Sequence, residues 1–223
     1  SPTDLIDLSN VSGLKKIETI ANKIFIGSMS THNEIANSED IKNKLPGFAY
    51  LAKNIADNAV RNRGTIGGSI CNADPAADYP AALLCLDAKI VTNERRITST
   101  DFFVDMFETN LKEEELVVGV ELQISEISKY YKFSSLASKY AIVGLFVAVR
   151  NDLVKFSVTG ASNCAFILKE LDEIDIKDLH KVDVFNIDLN KYFINSDIHA
   201  STEYRISLLQ SQLKDAINFL LDN

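Results

Sequence analysis

Apolar positions in the first half of the chain switch repeatedly between the two-residue alternation of a strand and the three-to-four-residue spacing of a helix. Lys23–Ser28 reads as a short strand. Thr31 and Ser38 are placed to cap short helices, because their hydroxyls accept the unpaired amides of a first turn. Gly47–Ala56 has helical spacing, with Phe48, Leu51 and Ile55 as its apolar residues. Pro80 suits the first turn of a helix that runs on through Leu83, Leu84 and Leu86. Ala88–Thr92 and Leu116–Gln123 read as further strands. The texture up to about Gly119 predicts helices packed on a mixed sheet.

From about Ser125 the strands cluster instead. Tyr130–Ala137, Leu145–Val149 and Leu153–Val158 are strand-like runs, and Asn151-Asp152 suits the hairpin turn between the last two. Ser201–Leu221 closes the chain as a helix with Ile206, Leu209, Leu213, Ile217 and Leu220 on one stripe. Antiparallel strands followed by a terminal helix predict a small second α+β domain, with its boundary near residues 123–128.

Composition narrows the classes. A chain of 223 residues, 24% charged and 46% hydrophobic, has the make-up of a globular protein of one or two domains. The formal charge of −8 disfavours a nucleic-acid or anionic-membrane surface. No apolar run approaches the roughly 18 residues that span a bilayer, so no membrane span is expected. Cys71, Cys85 and Cys164 are scattered, without zinc or iron–sulfur spacing, and imply a reduced, cytoplasmic setting by default. The chain opens abruptly on the apolar stretch Leu5-Ile6-Asp7-Leu8.

The densest glycine cluster, Gly64, Gly67 and Gly68, lies in Val60-Arg61-Asn62-Arg63-Gly64-Thr65-Ile66-Gly67-Gly68-Ser69, which runs on to Asn72-Ala73-Asp74-Pro75-Ala76-Ala77-Asp78. Glycine lets a ligand touch the main chain, and successive amides in such a loop can converge on an anion. Thr65 and Ser69 add hydroxyl donors, and Asp74 or Asp78 suits the hydroxyls of a ribose or ribityl chain. The spacing is neither the dinucleotide fingerprint nor the P-loop. A Gly-Gly pair is also the mark of a tight turn, and Arg61 and Arg63 of solvated charges. Spacing alone leaves the turn and the diphosphate cradle both open. His32, His180 and His199 are dispersed and read as surface or capping residues, and Lys112-Glu113-Glu114-Glu115 reads as a solvated turn. No catalytic acid, base or nucleophile is nominated.

That same run resembles the second flavin loop of one family, the FAD subunits of carbon monoxide dehydrogenase-like and xanthine dehydrogenase-like molybdenum hydroxylases. Asp197-Ile198-His199-Ala200-Ser201-Thr202-Glu203-Tyr204-Arg205 resembles that family's approach to its last helix. Leu5–Ser9 and Ile26–His32 also fall in family order, so the resemblance covers essentially the whole chain. It implies an α+β protein: an FAD-binding domain of mixed α/β construction over residues 1–123, then a C-terminal flavoprotein domain over 124–223 built on a three-stranded antiparallel sheet and helices. It implies that Thr65, Ile66, Gly67, Gly68 and Ser69 hold the FAD diphosphate and that Asp78 hydrogen-bonds the cofactor. Ile55 and Val117 then make apolar contacts with the flavin, and Lys132 lies beside the isoalloxazine. Core packing accounts for the type of Ile55 and Val117 equally well.

The function implied is an electron relay. Substrate is hydroxylated at a molybdenum-pterin centre in a large partner subunit, electrons cross iron–sulfur clusters in a small one, and FAD here passes them to NAD, a quinone or oxygen. The substrate pocket lies in another subunit, so carbon monoxide, an aldehyde, a purine or another heterocycle stay open.

Two departures bear on this reading. The family carries a first flavin loop of the form Ala-Gly-Gly-[Thr/Ser]-Asp-Leu, and none of the nine glycines here forms one. Family order puts that loop before Ser1, so the chain is expected to lack an N-terminal subdomain of roughly 30 residues or more. Such a truncated form is expected to hold FAD poorly or not at all, and to self-associate over apolar surface near Ile55 and Ile66. It would then act as a non-enzymatic assembly subunit. A free-standing flavoprotein oxidase is the third reading, disfavoured because no substrate cap is recognisable. In Ser138-Lys139-Tyr140-Ala141-Ile142-Val143, Lys139 stands where relatives carry an acidic residue, which bears on the Lys132 assignment.

Overall fold

In the computed structural model, which describes residues 3–222, the chain forms two five-stranded sheets with helices between and beside them. The outermost positions of the two expected domains, 1–2 and 223, lie outside the described residues. The first half begins with a hairpin, β1 (Ile17–Ile20) and β2 (Lys23–Gly27). Six helices follow without an intervening strand: α1 (His32–Asn37), α2 (Glu39–Lys44), α3 (Pro46–Lys53), α4 (Asn58–Arg61), α5 (Ile66–Asn72) and α6 (Tyr79–Cys85). A second hairpin, β3 (Lys89–Thr92) and β4 (Arg96–Thr98), leads through α7 (Ser99–Phe102) to a small ribbon, β5 (Phe103–Asp105) and β6 (Glu108–Thr109). β7 (Val117–Gln123) then enters the centre of the sheet, giving the order β1-β2-β7-β3-β4.

All pairings in this sheet are antiparallel, which corrects the mixed sheet expected from alternating signals. The helices are not βαβ crossovers but one long insertion between two hairpins, so no strand has to run parallel to its neighbour. The local signals were sound: Thr31 caps α1 in a capping box with Glu34, and Ser38 accepts the Ile41 amide to start α2. Ile24, Ile26, Ile90, Val120 and Leu122 of the sheet share one core with Ile35, Ile41, Phe48, Leu51 and Leu83 of the helices.

The second sheet comprises β8 (Ile127–Ser134), β9 (Ala141–Arg150), β10 (Leu153–Thr159), β11 (Phe166–Ile167) and β12 (Ile174–Asp175), all antiparallel. Its body is the three long strands expected; the two-residue strands only pair with β10. Asn151 and Asp152 take φ of 53° and 63° in the two-residue turn between β9 and β10, the left-handed pair such a hairpin requires.

β9 is apolar almost throughout because both of its faces are covered. Phe146 and Ala148 join the first core, whereas Val143, Leu145, Val147 and Val149 face Leu209, Leu213, Ala216 and Leu220 of α8 (Thr202–Leu221). Polar bonds fasten α6 to the sheet. The Ser157 hydroxyl donates to the Ala81 carbonyl at 2.6 Å, and Lys155 Nζ meets Asp87 at 2.6 Å, where Arg150 also pairs.

A buried arginine anchors the segment that leads into α8. Arg205 donates to the carbonyls of Ile142 (2.6 Å) and Gly160 (2.7 Å) and to Asp197 (2.6 Å), while Ser201 caps the helix. Arg205→Leu strands two buried carbonyls, so a loss of about 2–4 kcal/mol is expected. Urea unfolding would measure it; an unchanged midpoint would show that the anchor is dispensable.

Candidate functional site

A cavity of about 570 Å³ opens between the glycine loop, the end of α3 and the loop that joins β8 to β9. Asp57 starts α4 by accepting the Val60 amide at 2.9 Å, and Arg61 turns back to bond the carbonyls of Ile55 (2.7 Å) and Ala56 (2.8 Å). Arg61 is thus committed to the loop's own main chain rather than free in solvent. Thr65 caps α5, accepting the Gly68 amide at 3.1 Å.

The expected site residues divide into three groups. Ile55, Thr65, Gly68, Ser69 and Asp78 line the cavity. Ile55 lies beyond the last turn of α3, which ends at Lys53 and not at Ala56 as its apolar spacing had suggested. Ile66 and Gly67 lie beneath the loop: Ile66 is fully buried in the first core, and the Gly67 amide donates to the Ser28 carbonyl at 2.8 Å. Val117, at the start of β7, is buried in that same core and does not reach the cavity. Lys132 stands one bond behind the wall, with Nζ 2.8 Å from Asp78 Oδ1 and 3.1 Å from the Asn54 carbonyl.

The glycines therefore serve different ends. A Cβ on Gly67 would lie 2.6 Å from Ser28 Cβ and 2.7 Å from its carbonyl oxygen, so this glycine is needed for close packing against the protein. A Cβ on Gly68 would meet only Thr65 Oγ1, at 3.2 Å, so the face of this residue is exposed to the cavity although its amide is given to Thr65. Gly64 faces His32, whose Nε2 would be 2.6 Å from an added Cβ.

Asp78 is the buried charge of the site. Tyr130 donates to its Oδ1 at 2.6 Å and Lys132 to its Oδ2 at 2.9 Å. Burial pushes the Asp78 carboxyl above its ordinary pKa, and Lys132 and Tyr130 pull it back. Tyr130 was not anticipated; only its two-residue offset from Lys132 along one strand signals that both face the same way.

His32 corrects the expectation of a surface or capping residue. It is buried, lines the cavity, and places Nδ1 3.0 Å from the Tyr79 hydroxyl. Burial, with Arg61 nearby, lowers its pKa to about 4. Arg63, Gly64, Asn72, Asp74, Lys139 and Tyr140 are also part of the lining. Outside the site, Glu115 also departs from the solvated turn expected. It is buried and held by Arg95 (2.9 Å) and Thr92 (2.7 Å), with Arg95 as the main cause of a pKa of about 2. Among the described residues no group of three or more His, Cys, Asp or Glu side chains converges as a metal site, and no helix is long and apolar enough to cross a membrane.

Residues 1–122 match the family described as the FAD binding domain in molybdopterin dehydrogenase. The glyceraldehyde dehydrogenase medium chain of Sulfolobus acidocaldarius is 30% identical over 78% of this chain, which spans 66% of that relative. The nicotine 6-hydroxylase medium subunit of Paenarthrobacter nicotinovorans is 28% identical over 97% of this chain and 81% of its own length. Among solved structures, quinoline 2-oxidoreductase from Pseudomonas putida 86 superposes with a TM-score of 0.84 at 25% identity, covering 99% of this chain and 82% of that one.

Two outcomes follow from the geometry. Gly67→Ala overpacks the contact with Ser28 and should cost about 1–3 kcal/mol, whereas Gly68→Ala should change stability by less than about 1 kcal/mol; equal losses in a denaturant titration would refute the division. His32 binds its proton near pH 6.5 when unfolded and only near 4 when folded. Between those values the unfolded state holds more protons, so stability rises with pH through that window. The stability of the wild type relative to His32→Gln should therefore climb by on the order of 2–3 kcal/mol from pH 4 to 6.5. A flat difference would mean that His32 titrates normally.

Proposed function

We propose, for a chain that belongs to the FAD-binding-domain family of molybdopterin dehydrogenases, that the cavity beside Thr65–Ser69 binds FAD. The observation that carries this reading is the pairing of the exposed face of Gly68 with the buried carboxylate of Asp78 on one cavity wall. The donor set suits the cofactor. Thr65, Ser69 and Arg63 offer hydroxyls and a cation to a diphosphate, and Asp74 and Asp78 offer acceptors to ribose or ribityl hydroxyls. Ile55 and Tyr140 supply an apolar and an aromatic face. Lys132 and Tyr130 hold Asp78 in one orientation, so its free lone pairs stay aimed at a fixed place.

In this reading the protein binds, orients and shields, and FAD when bound supplies the redox chemistry. The chain then acts as the medium subunit of a molybdenum hydroxylase. Electrons from the iron–sulfur clusters of a small partner subunit would reach an external acceptor through this chain, and a large partner subunit holding molybdenum-pterin would supply the hydroxylation chemistry. Residues 1–123 are taken as the FAD-binding domain and 124–223 as the C-terminal flavoprotein domain. In support, no strand of either sheet lies within the other's stretch of sequence.

Titrating the purified chain with FAD, read by flavin absorbance and fluorescence, tests the assignment. Saturable but weak binding is expected, in keeping with the single glycine loop that lines the cavity. Gly68→Val should weaken it at least about tenfold by closing the approach over that residue, and Asp78→Ala about tenfold by removing an acceptor. No uptake by the wild type, or full affinity in Gly68→Val, would rule out this cavity as the cofactor site.

A further inference from the structure

We propose that His32 is itself a ligand-binding residue, presenting a neutral Nε2–H donor to a phosphate oxygen of the dinucleotide held in the cavity. The inference rests on the FAD reading above and adds a contact that the glycine loop does not provide.

The tautomer follows from the bonds around the ring. The Tyr79 side chain is fully buried, and the one partner its hydroxyl has among the described residues is His32 Nδ1, at 3.0 Å. A buried hydroxyl hydrogen needs an acceptor. Tyr79 therefore donates, Nδ1 accepts, and the single proton of the neutral imidazole resides on Nε2. Burial of the ring and the charge of Arg61 keep it neutral at ordinary pH, and burial, with Asp78 beside it, favours the protonated phenol of Tyr79.

The open end of the ring then points at the site. Nε2 has no protein partner among the described residues and is not sealed off by its neighbours. It lies against Gly64, the residue that leads into the loop, at a distance that leaves no room for a side chain there. His32 and Gly64 line the same cavity as Arg63, Thr65 and Gly68, a stretch of wall with a cation, a hydroxyl and an exposed glycine and no carboxylate. A donor in that company suits an anionic oxygen. The backbone holds the ring in register with the loop, since the His32 amide donates to the Gly64 carbonyl at 3.0 Å and Thr31 bridges to Thr65.

The test combines FAD titrations at pH 7 with ¹⁵N spectra of the histidines. The wild type should show His32 as the Nε2–H tautomer, with its ¹⁵N shift moving on addition of FAD. His32→Phe should bind FAD about 10- to 100-fold more weakly. His32→Gln, whose amide nitrogen reaches the Nε2 position, should stay within about threefold of the wild type. Tyr79→Phe releases Nδ1 and should give a mixture of tautomers and an intermediate affinity. A dominant Nδ1–H tautomer, undiminished binding by His32→Phe, or a Gln variant as weak as Phe would each overturn the assignment while leaving the FAD reading in place. Failure of the wild type to take up FAD would overturn both.

Discussion

A carboxylate taken out of water must be paired, and Asp78 is the group on which the layers of this protein converge. Left alone at its depth, the charge would be disfavoured by several kcal/mol. Both of its compensating partners, Tyr130 and Lys132, come from β8 in the other sheet. Ser128, two residues earlier on the same face, accepts the Gly47 amide at the start of α3 (3.1 Å). One strand face thus carries three polar groups at a two-residue period, each seated on the helical layer of the first half. A slip of one residue would present Lys129 and Tyr131 instead, and these already serve the opposite face, where Lys129 lies 3.7 Å from the Phe219 ring. The register of β8 and the shape of the cavity wall are therefore one constraint.

The glycine loop is seated by the protein independently of any ligand. The Ser28 and Ser30 carbonyls, just past β2, accept the amides of Gly67 and Ile66, and the Gly64 carbonyl accepts from His32. At position 67 these bonds bring the loop's main chain against Ser28 and leave no room for a side chain, while at position 64 it is the His32 ring that leaves none. A side chain excludes one at Gly144 too, where a Cβ would run into the Tyr130 hydroxyl that bonds Asp78. A loop already fixed in this way loses little conformational freedom when it meets a ligand.

Much of this was legible in the sequence because it depends on local rules. The caps at Thr31 and Ser38, the Asn151-Asp152 turn and the striped terminal helix each follow from chemistry within a few residues of the signal. What was not legible depends on residues far apart in the chain. Glu115 looks like one of three solvated acids until Arg95, twenty residues away, encloses it. His32 looks like a residue at a helix start until Tyr79, forty-seven residues on, claims its Nδ1. The direction of the first sheet was missed for the same reason, since the β2–β7 pairing joins strands about a hundred residues apart. From Lys169 to Tyr192 the chain is mostly short 3₁₀ turns, two of them capped by Asp175 and Asp183, which have no apolar period to read.

The run from Thr65 to Ser69 also indicates what a sequence motif can and cannot assign. Its five residues look like one ligand-holding unit, yet in space they alternate between support and contact. Ile66 and Gly67 face inward to the core and to Ser28, while Thr65, Gly68 and Ser69 face the cavity. The alternation is a consequence of starting a helix there: α5 begins at Ile66, so successive residues turn by about 100° and cannot all meet one ligand. A helix start pressed against a strand end must place a small residue where the two backbones touch, whatever the cavity holds. Thr65, Gly68 and Ser69, on the other side of the turn, are left for a ligand's approach. Replacing either glycine would injure the same site, but at Gly67 through the seating of the loop and at Gly68 through the surface it offers.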